Sequence, residues 1–218
     1  MRHLSLAMLT LAVLSARPVL AEDKVNLDPT GVAQPGAVAL YMSAERLFSL
    51  GQAAKDPMMV LTAARMMAGL TLVPTARLAE PAPMVAADLM LPDAAAMLDA
   101  ARTLDVAEDL ADLISVAGSD VAPQPKALRA TASTLEPGAS EVWTLDFYGA
   151  TYAELAIDGH ANGNLDLLVT DDKGGQICLD RGSADSAVCG FTPAENGSFL
   201  VTVTNSGAAT DSYALLTN

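Results

Sequence analysis

The sequence predicts an α+β protein, in which N-terminal helical hairpins are followed by a separate, eight-stranded antiparallel β-sandwich of the jelly-roll type. Two observations predict this class. Residues 36–118 are rich in Ala, Leu and Met, and their apolar residues recur at helical spacing. Residues 127–218 are rich in Thr, Val, Gly, Asn and Asp, and short alternating apolar runs recur there between turn residues. The proline-containing segment 119–126 is predicted to be a linker.

The N-terminus has the features of a secretory signal peptide. Arg2 precedes an apolar run from Leu4 to Ala16, which is too short to cross a bilayer, and small residues before Glu22 offer a cleavage site. An uncleaved anchor is the alternative. We therefore expect a signal over 1–21, a periplasmic or secreted bacterial protein, and no transmembrane segment once the signal is removed.

The net charge of the mature chain limits the kinds of partner that it can bind. Removal of Arg2 and Arg17 with the signal leaves 10 Lys and Arg against 26 Asp and Glu, a net charge of −16. This negative field repels phosphate backbones and anionic lipids, so nucleic acid is excluded as a partner. Cationic partners, divalent ions or a need for solubility alone each fit such a charge.

The segment before the sandwich predicts a leader and then two helical hairpins. Proline and glycine interrupt residues 22–35, which are predicted to be a flexible leader, and apolar residues then follow helical spacing over 36–118. The expected capping and stopping residues are Asp56 with Pro57, Gly69, Asp93, Asp105 and Gly118. Methionines in the first hairpin suit either a peptide-binding groove or ordinary core, and core is favoured. They are Met58, Met59, Met66 and Met67.

Eight short runs with apolar residues at every second position predict the strands. They are 127–134, 140–147, 151–157, 164–170, 175–180, 187–192, 198–204 and 211–217. The residues expected to fill the sandwich core are Trp143, Leu145, Phe147, Leu155, Leu165, Leu167, Val169, Phe191, Phe199, Val201, Val203 and Tyr213. Turns such as Asp171 to Gly175 and Glu195 to Gly197 separate the runs.

The motifs of these strands follow a particular order. A polar–aromatic strand around Trp143 is followed by the run N-L-D-L-L-V-T-D from Asn164, by N-G-S-F-L-V-T-V from Asn196, and by a closing D-S-Y-A-L from Asp211. In this order they resemble the bacterial pre-peptidase C-terminal domain over about 127–218, and the helical part carries no such resemblance. The family usually has Tyr where Phe199 stands.

No peptidase domain precedes the sandwich in this sequence. The resemblance therefore implies an appended module for secretion, surface attachment or ligand contact, and it does not imply proteolysis.

Two cysteines predict a disulfide. Export places Cys178 and Cys189 in an oxidising compartment, and ten residues lie between them in a turn-rich segment. A bridge between neighbouring strands is expected, and closing so short a loop would stabilise the fold by roughly 2–3 kcal/mol.

The segment before the fourth strand predicts a candidate calcium site, and calcium is the only cofactor that the sequence suggests. Its oxygen-bearing residues are Asp158, Asn162, Asn164 and Asp166. Calcium takes six to eight oxygen ligands from such loops. His160 stands where a further oxygen is expected, so the alternative is a hairpin loop whose Asn and Asp side chains bond their own backbone.

The sequence favours binding over catalysis. His160 is the only histidine of the mature chain, and a zinc site or a Ser-His-Asp triad needs further partners. We expect an exported, non-catalytic protein whose helices offer a surface to a protein or peptide partner in the cell envelope, with the sandwich as a targeting or ligand-contact module. The alternative is a secreted hydrolase or a carbohydrate-binding accessory to one. Convergent carboxylates with aromatic side chains would favour that alternative, and a helical groove lined by Met and Leu would favour the first function.

Overall fold

The computed structural model describes residues 24–32, 35–82, 91–104, 108–117, 126–160 and 163–218. Within these ranges the helices are α1 (Ala37–Ala54), α2 (Pro57–Met67), α3 (Ala94–Thr103) and α4 (Glu108–Ala117). The strands are β1 (Leu70–Pro74), β2 (Ala79–Glu80), β3 (Lys126–Leu135), β4 (Ser140–Phe147), β5 (Ala153–Gly159), β6 (Leu165–Asp171), β7 (Gln176–Asp180), β8 (Ser186–Phe191), β9 (Gly197–Asn205) and β10 (Asp211–Thr217). The predicted α+β class is confirmed.

The strands form two five-stranded sheets. The first has the order β1-β3-β10-β5-β8, and the second has the order β2-β4-β9-β6-β7. The segment from β3 to β10 supplies four antiparallel strands to each sheet, which is the arrangement of a jelly roll. The strand β1 runs parallel to β3, and β2 runs antiparallel to β4.

The sandwich therefore has ten strands, and the predicted count of eight was too low by two. The additional strands β1 and β2 come from the segment 36–118, which was predicted to hold two helical hairpins and no strand. Both are short and lie at sheet edges. Pro74 is tolerated in an edge strand because its missing N–H is not needed to pair with a further strand. Their pairing depends on backbone partners distant in sequence, so local spacing did not reveal it.

The helices share a core with the first sheet. Tyr41, Val60 and Met97 pack in one buried cluster with Ala156 of β5 and Leu216 of β10. The expectation of a sandwich separate from the helices is corrected by this shared core. The physical reason is that β5 and β10 are buried on both faces, as strands between two layers are.

A second cluster fills the space between the sheets. All but one of the predicted core residues are buried there, and Phe147 is half-buried against the same cluster. The predicted disulfide is present and joins Cys178 of β7 to Cys189 of β8, with 6.0 Å between their Cα atoms. Because β7 and β8 belong to different sheets, the bond ties one edge of the sandwich together.

The start of the described chain lies against the sandwich. Residues 22–35 were predicted to be a flexible leader, but the backbone N–H of Asn26 donates to Asp171 Oδ2 at 2.8 Å. Asn26 Oδ1 also accepts from the N–H of Glu195 at 2.8 Å. These contacts join residues 24–32 to two loops of the sandwich. The sequence around Asn26 has no helical or strand pattern, so it did not predict these contacts.

Helix boundaries follow the predicted caps where they are described. Asp56 accepts from the N–H groups of Met58 and Met59, and Asp93 accepts from that of Ala96. Asp105, Gly118 and most of the predicted linker lie outside the described residues. In the part of the chain that is described, no helix is long and apolar enough to span a membrane.

A buried carboxylate fixes the start of α1 on the first sheet. Glu154 is 2% exposed, and its side chain on β5 points toward the helices. Its Oε1 accepts from the N–H of Gly36 at 2.8 Å, and its Oε2 accepts from that of Val38 at 3.2 Å. The N-cap residue Gly36 has no side chain for this role, so the strand supplies the cap that the helix lacks.

We expect Glu154→Ala to lower the free energy of unfolding by about 2–3 kcal/mol, because charge-assisted hydrogen bonds to buried N–H groups are lost. Urea denaturation of the full chain measures this change. Glu195→Ala is the matched control, since the Glu195 side chain is exposed. Equal midpoints for the two variants would contradict the capping role of Glu154.

Candidate functional site

A groove of about 660 Å³ lies between α1 and the neighbouring ends of β5 and β8. Its walls include Met42, Glu45 and Leu50 from the helix and Asp158, Asp185 and Val188 from the sheet side. We call this cleft the acidic groove. The four methionines for which a peptide groove was the alternative to core are not among its lining residues, and Met67 is buried in the helical core, as the favoured interpretation expects.

The spacing of residues on α1 and the alternation of side chains on β5 bring the residues of the acidic groove together. Tyr41 and Glu45 are four residues apart on α1, so both side chains lie on the face that meets the sheet. Asp158 is two residues after Ala156 on β5, so it points to the same side of the sheet as that core residue. Asp185 comes just before β8, and its carbonyl accepts from the N–H of Gly159 at 2.9 Å.

Burial and mutual repulsion raise the proton affinity of this cluster. Asp158 is only 4% exposed. Burial raises its pKa from 3.8 to about 7, and the charges of Glu45 and Asp185 add to the shift. Burial also raises the pKa of Glu45, while the nearby His160 lowers it and Asp185 raises it. The groove therefore holds one buried carboxyl, that of Asp158, whose charge changes near neutral pH.

Two positively charged or chargeable groups face these carboxyls. His160 Nε2 lies 3.9 Å from Asp158 Oδ2, and Arg46 lines the groove from α1. Below them, Asp158 Oδ2 and the Tyr41 hydroxyl are buried, and neither forms a hydrogen bond with a described residue. Burial, followed by the charges of Asp158 and Glu45, raises the pKa of Tyr41. The hydroxyl therefore stays protonated and can act only as a neutral polar group.

The structure does not gather the predicted calcium ligands around one point. Asp158 faces the helices from the first sheet, whereas Asp166 alternates with core residues of β6 and so lies on the outer face of the second sheet. Asp166 Oδ2 accepts from Ser206 Oγ at 2.7 Å. Asn164 precedes β6, and Asn162 lies outside the described residues.

Asp158 and Asp166 are thus on opposite faces and cannot bind the same ion. Among the residues that are described, no group of three His, Cys, Asp or Glu side chains could hold a metal. Calcium binding by any part of the predicted set stays a prediction.

Sequence reasoning missed Glu45 and Asp185 as site residues. A signal for Glu45 was present, since a carboxylate four residues after the inward-facing Tyr41 must lie beside the apolar stripe of α1. No local signal pointed to Asp185, because its place beside Asp158 depends on the pairing of β5 with β8.

Comparison with protein-family models gave no match, and comparison with curated proteins gave none. Among solved structures, the pre-peptidase C-terminal domain of a collagenase from Bacillus anthracis is 14% identical, with a TM-score of 0.34 over 41% of this chain and 87% of that chain. PliG, a periplasmic inhibitor of g-type lysozyme from Aeromonas hydrophila, is 14% identical, with a TM-score of 0.31 over 42% and 86%. The carbohydrate-binding module CBM36, solved with calcium and xylotriose, is 15% identical, with a TM-score of 0.26 over 44% and 82%.

Likenesses with such low TM-scores do not bear on what this chain binds. The class of protein is defined by its own structure: a disulfide-bonded jelly-roll sandwich with a helical layer on one sheet and an acidic groove between the two. The region 127–218 forms a β-sandwich, as the resemblance to the pre-peptidase C-terminal domain implied, and membership of that family stays a prediction.

Proposed function

We propose that this chain is an exported, non-catalytic accessory protein that binds a cationic segment of a protein or peptide partner in the acidic groove. The convergence of Glu45, Asp158 and Asp185 in one cleft supports this function. Carboxylates arranged in a partly desolvated cleft attract a Lys or Arg side chain more strongly than the same groups spread over a surface.

The apolar walls of the groove suit the same ligand. Met42, Leu50 and Val188 line it, and Leu50 and Val188 are 51% and 50% exposed. The methylene stem of a lysine or arginine packs on such side chains while its charged head reaches the half-buried Glu45 and Asp185. A groove with an apolar wall and an acidic end therefore fits a basic side chain better than it fits a small metal ion.

The groove supports binding better than hydrolysis. A pair of carboxyl groups with different pKa values is typical of glycoside hydrolases. A catalytic acid must, however, reach its substrate at hydrogen-bond distance, and Asp158 is buried with its Oδ2 inaccessible. Among the described residues that line the groove, none is a Phe, Tyr or Trp on which a sugar ring could stack.

Titration calorimetry with a peptide of alternating Ala and Lys tests this function, and the same peptide with Glu in place of Lys is the ligand control. We expect Glu45→Gln to weaken binding of the lysine peptide about tenfold, since one charge-assisted contact is lost. Glu195→Gln, which removes an equal charge from a distant exposed site, should leave the affinity unchanged. Equal weakening by both variants would show that only the overall negative field attracts the peptide and would refute the groove as a site.

A further inference from the structure

A second groove, of about 520 Å³, lies at the opposite end of β5 from the acidic groove, where the space between the two sheets opens. Two arginines reach it. Arg129 points between the sheets, because it is an even number of residues from the core residue Leu135 on β3. Arg77 lies in the loop that runs from β1 in the first sheet to β2 in the second sheet. We call this cleft the arginine groove.

Neutral partners hold Arg77 in place. Its Nη2 donates to Thr217 Oγ1 at 2.7 Å, and its Nη1 donates to Thr131 Oγ1 at 3.1 Å and to the carbonyl of Leu215 at 3.5 Å. The guanidinium is half-buried, and these bonds fix its plane at the mouth of the sandwich. These three bonds use three of the five N–H donors of the guanidinium.

Arg129 is closer to solvent and less engaged. Its Nη1 donates to the main-chain oxygen of Asn218 at 3.5 Å, and this bond uses one of its five N–H donors. Both arginines line the same groove, and the charge of Arg129 lowers the pKa of Arg77 in addition to the larger effect of burial. Like charges in a half-buried site destabilise each other unless an anion lies between them.

No described Asp or Glu side chain supplies that anion. Among the described residues, neither Arg77 nor Arg129 forms a salt bridge with an Asp or Glu side chain. Asp146 lines the groove but is exposed and accepts from Ser198 Oγ at 2.5 Å. In a chain with 26 acidic and 12 basic residues, two arginines in one groove without an Asp or Glu partner are a specific feature that solubility does not explain.

Aromatic side chains beside the arginines indicate what carries the anion. Tyr148 is 76% exposed, and Tyr152 is half-buried on the same wall. The flat face of a tyrosine packs against a ring of a ligand, and its hydroxyl can form hydrogen bonds with polar groups on that ring. Thr144 and Thr151 add hydroxyl groups to the lining.

We propose that the arginine groove binds a hexuronate, a sugar ring that carries a carboxylate. The carboxylate lies between the guanidinium groups of Arg77 and Arg129, where two parallel N–H···O bonds match its geometry. The ring lies against Tyr148. This site is independent of the acidic groove, which faces the helices at the other end of β5 and selects the opposite charge.

NMR titration of the full chain with D-glucuronate tests this site, with acetate, D-glucose and inorganic phosphate as separate probes. We expect glucuronate to bind more tightly than each of the other three. Arg129→Met should weaken its binding about tenfold, since a charge-assisted pair of bonds is lost. Tyr148→Ala should weaken glucuronate binding and leave acetate binding unchanged, because only the ring contacts that tyrosine.

Arg181→Met is the matched control, since Arg181 is exposed on a loop outside the groove and the substitution removes the same charge. It should leave glucuronate binding unaltered. The proposal is overturned if no probe binds, if glucose or phosphate binds as tightly as glucuronate, or if the two arginine variants weaken binding equally. Both arginine positions tested are exposed, so a folded variant is expected in each case.

Discussion

Asp158→Asn should stabilise the protein at pH 8 by up to about 4 kcal/mol and should have little effect at pH 4. The carboxyl of Asp158 is buried under α1, and burial, followed by the charges of Glu45 and Asp185, raises its pKa from 3.8 to about 7. The folded protein therefore holds this proton more tightly than the unfolded chain does. As pH rises from about 4 to about 7, ionisation lowers the free energy of unfolding, and the amide of Asn removes this loss.

Urea denaturation of both proteins at pH 4, 6 and 8 measures the effect. The difference between Asp158→Asn and the parent chain should grow steadily with pH and level off above pH 7. The other groups that face Asp158 are Tyr41, Glu45, Arg46, His160 and Asp185, and they are present in both proteins. Asp180→Asn at an exposed position is the control and should show no such trend. A stability difference that is the same at all three pH values would contradict the raised pKa.

Tyr213→Phe should lower the free energy of unfolding by about 3 kcal/mol, because it leaves two buried polar groups without their partner. The Tyr213 hydroxyl donates to Glu141 Oε1 and accepts from Trp143 Nε1 at 2.8 Å, deep between the sheets. Glu141 is 1% exposed, and burial raises its pKa although the bond from Tyr213 lowers it. Without that hydroxyl, the carboxyl and the indole N–H must both stay unsatisfied or admit water.

A double variant separates the hydrogen bond from the loss of packing. Tyr213→Phe combined with Glu141→Leu should cost less than the sum of the single changes, because the second substitution removes the acceptor that the first leaves unpaired. Tyr148→Phe is the matched control at a site that is 76% exposed, and we expect a change within about 0.5 kcal/mol. Additive costs in the double variant would contradict a network joined through the tyrosine hydroxyl.

Local signals located most elements of the fold. The eight predicted strands are present within two residues at each end, and Asp56 and Asp93 cap helices as expected. These predictions succeed because caps, turns and alternation act within a few residues. Such local signals could not predict which strands pair with each other or which sheet each strand joins. The runs Leu155-Ala156-Ile157 and Ala214-Leu215-Leu216 carry a signal that β5 and β10 are covered on both faces, but no such coverage was predicted.

The candidate site was predictable only in part for the same reason. Asp158 was singled out from its local sequence, but as a calcium ligand grouped with Asp166. Alternation along a strand tells which residues share a face only after the strand has been assigned to a sheet. Once β5 and β6 fall in different sheets, the two carboxylates separate, and Glu45 from α1 becomes the nearer partner of Asp158.

The strands β1 and β2 also decide whether the sandwich could be moved between proteins as a unit. They pair with β3 and β4, which would otherwise present unpaired N–H and C=O groups to solvent along two sheet edges. A chain cut before Lys126 would expose both edges together with the apolar face around Leu128 and Leu216. We expect such a fragment to self-associate, because its edges and this apolar face would be uncovered. On this expectation, the sandwich depends on the N-terminal part to cover its first sheet.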